Sequence, residues 1–381
     1  MYSFFIFPTV VFLSFTTSAS GKDTCVNDSG TNATCQAACL KQPCSDTEWS
    51  CNGTLLSTCT QSCYDNSCTQ LACDKMARKC DQYCFGCQNM SCSSLKCLQH
   101  CTSGYCSNIM CSKADDCEQL CKFCRRQRCY ETKSCSQRCL NSDCSLKCLQ
   151  SQACQQHCHG DGCKASCIGN MNCRQTCHPK ANCTHLFCES KFCSQNCANN
   201  SMCGLLRCHG DLCRQESYVQ KSKLECSSNI CREQVSHVSN TDLSCDNING
   251  SCVQKCYGSG CMMSCGGKVK TCRQYCYGGN CNMSCARGSD TCSMECPGGN
   301  CVLTCQAKNC LLSCKHGCEE TTISNTEDTR EECDNSSYKL SFHPVLFFIF
   351  TSFKILFWLS GRSICAGNDV YPGKYIFKII S

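Results

Sequence analysis

Cysteine dominates the residues capable of chemistry, at 58 of 381 positions. At this density the thiols are either oxidised to disulfides in a secretory compartment or loaded with metal. Two C-x-x-C pairs, Cys84–Cys87 and Cys121–Cys124, have the spacing of a zinc knuckle or a redox couple. Both fall at the same place in a longer pattern and read better as structural bridges with a shortened turn. The CC and CxC pairs that chelate an ion locally in metallothionein-like chains do not occur. Among nine histidines, His157, His159, His178 and His209 sit near turns. They carry no ligand-spacing motif and read as exposed turn residues. No nucleophile elbow, zincin, phosphate-loop or paired-carboxylate signature stands out. The expectation is therefore a protein with no catalytic residue, no cofactor and no metal site, and not an enzyme.

The composition points the same way. Within 25–333, Leu, Ile, Val and Phe make up about 11% of residues, and 12 of the 16 Phe lie outside that span. Chains with less than ~20% of these types do not normally bury enough apolar surface to fold, so cross-links must supply what a core lacks. Over the same span 30 Lys and Arg face 27 Asp and Glu, scattered along the chain. No basic stripe marks a nucleic-acid partner.

The elements that position the cysteines follow from a repeat of about twenty residues. Its clearest unit reads Cys252-Val-Gln254-Lys-Cys256, a Gly-rich turn, then Cys261-Met-Met263-Ser-Cys265. The next has Gln274 and Met283 at the same places, and the one after has Met294 and Leu303. Upstream, a glutamine stands midway between cysteines at Gln61, Gln82, Gln99, Gln119, Gln137, Gln156, Gln175 and Gln195, and Ala37 holds the place in the first unit. Return segments centre on Leu71, Ile109, Leu146, Ala165, Leu186 and Leu205. In a strand, residues i, i+2 and i+4 share a face, so both cysteines and the central residue point one way; in a helix the central residue points away. The pattern therefore predicts short strands joined by Gly/Asn turns. The fold class expected is all-β, a β-solenoid of about fourteen 20-residue coils. In such a stack the glutamines form a buried amide ladder. Tandem disulfide-bridged hairpins are the alternative.

Two units point to the pairing. Gln215 and Leu224 are flanked by Cys213 and Cys226 outside but by Ser217 and Ser222 inside; the unit around Gln234 and Leu243 has Ser236 and Thr241 inside. A thiol left without its partner would be reactive, so joint loss marks bonded partners. This predicts an inner and an outer bridge in each unit: inner Cys256–Cys261, Cys276–Cys281, Cys139–Cys144 and Cys158–Cys163; outer Cys252–Cys265, Cys272–Cys285, Cys135–Cys148, Cys154–Cys167 and Cys213–Cys226. Cys25, Cys310, Cys314, Cys318, Cys333 and Cys365 find no place in this scheme.

Residues 1–20 read as a secretory signal peptide, 21–34 as a lead-in, and 35–318 as the repeat array, with 213–245 cysteine-depleted. An acidic and polar linker over 319–340 precedes an apolar segment at 341–360 and a tail at 361–381. The apolar core of that segment, 345–359, is short for a membrane span and contains Lys354. A weak membrane anchor, a removed lipid-anchor signal and a non-native tail are its competing readings. Sequons begin at Asn27, Asn32, Asn52, Asn89, Asn182, Asn199, Asn249, Asn282 and Asn335. The whole reads as a secreted or surface-anchored, glycosylated structural or adhesive rod with extracellular protein or matrix partners. A thiolate metal-binding protein and a secreted toxin or inhibitor scaffold are the alternatives.

Overall fold

A computed structural model describes residues 34–39, 48–51, 56–63, 69–73, 77–141, 143–246 and 250–322. Every regular element among them is a strand, from Thr34–Cys39 to Glu319–Thr322. No helix among the described residues is long and apolar enough to cross a membrane. The signal and 345–359 assignments fall outside the described residues, as does the linker beyond residue 322; its first residues, expected to be linker, instead form the last strand, Glu319–Thr322, which pairs with Val302–Cys305.

The strands form a β-solenoid of about 13 turns, all paired in parallel. Each turn contributes one strand to a glutamine sheet and one to a return sheet. Ser251–Cys256, for example, pairs with Thr271–Cys276 in the register Cys252↔Cys272, Gln254↔Gln274, Cys256↔Cys276. The return strand Met262–Cys265 pairs with Asn282–Cys285 as Met263↔Met283 and Cys265↔Cys285. Hairpins would pair antiparallel, so this topology decides between the two expected architectures. At ~4.8 Å per rung the stack is roughly 60 Å long.

The interior is filled by alternation. Both cysteines and the residue between them are buried, while the intervening residues face out, as in Ser251–Cys256, where Cys252, Gln254 and Cys256 are buried and Val253 and Lys255 half-buried. On one side the buried column runs Leu71, Met90, Ile109, Gln127, Leu146, Ala165, Leu186, Leu206, Leu224, Leu243, Met263, Met283 and Leu303. On the other, twelve glutamines make a continuous chain. Gln82 Nε2 donates to Gln61 Oε1 at 2.7 Å, and the same bond recurs coil by coil until Gln274 donates to Gln254 at 2.8 Å. The second amide hydrogen reaches across the coil to a return-strand carbonyl, as from Gln137 to Lys147 O (3.2 Å) and Gln175 to Phe187 O (2.9 Å). A buried primary amide has two donors and one acceptor oxygen, and this arrangement uses all of them. The ladder ends where Met294 takes the next place, and Gln274 Oε1 is left without a partner.

Every cysteine from Cys73 to Cys318 is disulfide-bonded to the adjacent cysteine across a turn, never to the one four residues away in its own strand. The inner corner is closed by Cys139–Cys144, Cys158–Cys163, Cys256–Cys261 and Cys276–Cys281, and by Cys84–Cys87 and Cys121–Cys124 across the shorter turns. In the depleted coils a hydroxyl pair replaces the bridge: Ser217 and Ser222 lie 2.8 Å apart, as do Ser236 and Thr241.

The outer bridges differ from the expected scheme. Cys265 bonds to Cys272 of the following coil, and Cys252 to Cys245 of the preceding one, so there is no Cys252–Cys265 bond. Likewise Cys285–Cys292 replaces Cys272–Cys285, Cys129–Cys135 and Cys148–Cys154 replace Cys135–Cys148, and Cys167–Cys173 replaces Cys154–Cys167. Cys208–Cys213 and Cys226–Cys231 replace Cys213–Cys226. The reason is the helical rise. At this corner cysteines from the two sheets alternate up one column; the sulfurs of Cys135, Cys148 and Cys154 all lie within 4.8 Å of one another. Cys148 is thus in reach of the cysteine of its own coil and that of the next. Pairing forward closes a separation of 6 residues rather than 13, the cheaper loop. The same rule places Cys310 with Cys305 and Cys314 with Cys318 in a further coil. Cys25, Cys333 and Cys365 lie outside the described residues.

At the Gly-rich turns the coils touch backbone to backbone. A Cβ on Gly278 would overlap the Gly258 carbonyl, and Gly279 (φ 77°) is left-handed.

Two substitutions separate a ladder from a row of independent amides. Gln215→Met strands the Gln195 oxygen, while Gln234 Nε2 keeps the Leu224 and Ser244 carbonyls, and should cost about 1–3 kcal/mol. Gln274→Met only moves the ladder end down one coil, to Gln254, and should cost less than about 1 kcal/mol. Denaturant unfolding with disulfides intact measures both; equal costs would contradict the ladder.

Candidate functional site

With the interior occupied by amides, sulfur and aliphatic side chains, chemistry available to partners lies in the outward columns. The residue one past the inner cysteine, or past the serine that replaces it, lies one rung from its counterpart in the next coil. In this way Tyr218, His237, Tyr257 and Tyr277 form a column of rings. Tyr218 and His237 are 4.0 Å apart and 3° from parallel, His237 and Tyr257 5.2 Å and 10°, and Tyr257 and Tyr277 4.8 Å and 7°. Tyr257 and Tyr277 are exposed. Glu216 ties the lower end, accepting from the Tyr218 hydroxyl at 2.9 Å and lying 3.0 Å from His237 Nε2. That hydrogen bond raises the Tyr218 pKa.

Two and three coils upstream of Tyr218 the same column carries imidazoles, His178 and His159. His159 stacks on His178 with centroids 3.7 Å apart, and His157 Nδ1 lies 3.1 Å from His178 Nε2. Burial lowers the pKa of all three, with Arg138 adding to the effect. His157, also beside His178, is lowered to about 4. Each ring is thereby biased toward its neutral form. His209 stands apart, exposed, in register with Glu189.

The return sheet presents cations. Arg126, Ser145 and Lys164 occupy one register column, and Arg128 and Lys147 the next. All four charged residues are exposed, and none forms an ion pair among the described residues. Further along, Arg207 and Lys223 are both held by Glu225, at 2.6 and 2.8 Å. The linear charge distribution looks scattered because consecutive rungs are some twenty residues apart; stacking gathers four cations into three rungs. The ring column was legible as the recurring Cys-Tyr and Cys-His pairs at Cys158, Cys177, Cys256 and Cys276. The His trio was not, since His157 belongs to a different column.

Of the sequons, Asn89, Asn199 and Asn282 are exposed, whereas Asn182 is half-buried beside Cys183, which is bonded to Cys177. Asn27, Asn32, Asn52, Asn249 and Asn335 lie outside the described residues. Sulfur triads such as Cys59, Cys73 and Cys80 come within 4.8 Å, but these cysteines are disulfide-bonded and offer no thiolate to a metal. Searches of protein-family models, curated proteins and solved structures find no match to this chain.

Removing a ring should be felt by its neighbours. Tyr257→Ala should cost about 1 kcal/mol through its lost stacking partners. It should also increase amide exchange at the 257–261 and 277–281 turns. Unchanged exchange at 277–281 would show that the column carries no coupling between coils.

Proposed function

We propose that the chain is an extracellular structural or adhesive protein: a glycosylated, disulfide-laced rod that binds partners along its outward faces and catalyses no reaction. The observation that carries this reading is the lacing itself. Each described coil from Cys73 onward is clipped at its outer corner by a disulfide, and the inner corner is closed by a disulfide or a hydroxyl pair. Such bridging is sustained in an oxidising compartment and lost in the cytosol. The apolar leader at 1–20 supplies the route, and the sequons become acceptors along it. A rigid coil stack offers long, regular columns of side chains, the kind of surface solenoids use for binding. The cation patch of Arg126, Arg128, Lys147 and Lys164 suits an acidic protein or matrix polymer, and the segment at 345–359 would hold the rod at a membrane.

Expression from a secretory cell line with the native leader provides the test. The protein should appear in the medium, with fewer than one alkylatable thiol per described coil and glycan on Asn89, Asn199 and Asn282 in preference to Asn182. Retention in the cytosol with reduced or metal-loaded thiols would favour a thiolate metal-binding protein. Adhesion to cells or matrix should fall when Arg126 and Lys147 are both changed to Glu; adhesion indifferent to that reversal would remove the cation face from the reading.

A further inference from the structure

We propose that His157, His159 and His178 form a binding site for one divalent transition-metal ion of the zinc class. Along the strand Ala153–Cys158, Cys158 points into the coil, so its neighbours His157 and His159 both face outward. The next coil brings His178 alongside, because Cys158 and Cys177 are register partners. Three imidazoles from two coils thus meet at one corner.

The geometry suits a shared ion. Ligand nitrogens on a tetrahedral zinc with bonds of ~2.0–2.1 Å sit about 3.3 Å apart. His157 Nδ1 and His178 Nε2 are already 3.1 Å apart, close to that span; a turn of each ring aims both lone pairs at one ion lying off the line between them, and the hydrogen they share moves to the outer nitrogen of its own ring. His159 is exposed, and its ring, now stacked on His178, is free to swing its nitrogen toward the same point. The open side leaves a fourth position for water, as in sites with three protein ligands. The backbones are held independently of the ion: Cys158–Cys163 and Cys177–Cys183 clamp the two turns that carry the rings. Imidazole donors without thiolate or carboxylate select zinc, copper or nickel over calcium and magnesium. Arg138, the register partner of His157 one coil below, is the charge opposing the ion, with Arg174 on the strand of the coil above.

The test uses the full oxidised chain. Zinc and cobalt(II) are titrated at neutral pH by calorimetry and visible absorption. One equivalent should bind to wild type. His157→Ala and His178→Ala should each weaken it about tenfold or more, His209→Ala should leave it unchanged, and Arg138→Gln should tighten it. The cobalt complex should show d–d bands without the near-ultraviolet thiolate charge-transfer band. In wild type, zinc should protect His157, His159 and His178, and not His209, from carbethoxylation read by mass spectrometry, a result independent of whether any variant folds. Failure of wild type to bind, equal binding by the His157 and His178 variants, a thiolate band, or absence of selective protection would each overturn the site.

Discussion

Parallel strands of successive coils lie about 4.8 Å apart, and each side chain must therefore coexist with its own counterpart above and below. That spacing is the constraint on which the remaining structure rests. Inside the coil it selects groups that satisfy themselves when stacked. An aliphatic column does so by contact, from Leu71 to Leu303. A glutamine column does so because one amide donates to the oxygen of the next while its second hydrogen finds a carbonyl across the coil. An isolated glutamine at the same depth would leave polar atoms unpaired, as the oxygen of Gln127 in the aliphatic column shows. The ladder is thus tolerable because it is long, and aligned amides polarise one another along it.

Disulfides perform the second task of a core, holding the two sheets together at their margins. The interior between them is only one large side chain deep on each side, too thin for the usual Ile, Val and Phe packing. Each bridge closes a loop of a few residues, worth about 2 kcal/mol of chain entropy, and repetition rather than individual strength makes the array stable. The depleted coils around Ser217 and Ser236 show that a hydroxyl pair can take an inner bridge's position while both outer corners stay covalently closed.

The same spacing organises the exterior. Rings one past each inner cysteine stack because a rung is close to the thickness at which aromatic faces meet, and cations twenty residues apart become neighbours. The outward columns are free of packing constraints, so their identity changes along the stack, from imidazole at His159 and His178 to phenol at Tyr257 and Tyr277.

Much of this was legible in the residues themselves. The alternation of cysteine, outward residue and glutamine required strands, the period required coils, and the joint replacement of inner cysteines by Ser217 and Ser222 identified one class of bridge. Each of these is a property of a single repeat or of two repeats compared. The outer pairing was not of this kind. Cys148 has two candidate partners that its own coil cannot distinguish, and only the rise of the chain from one coil to the next joins it to Cys154 rather than Cys135. The meeting of His157 with His178, and of Arg128 with Lys147, has the same origin. Periodicity determines what each coil is made of; the stacking of coils decides which residues become neighbours, because contact along the axis links positions that the sequence holds a full turn or more apart.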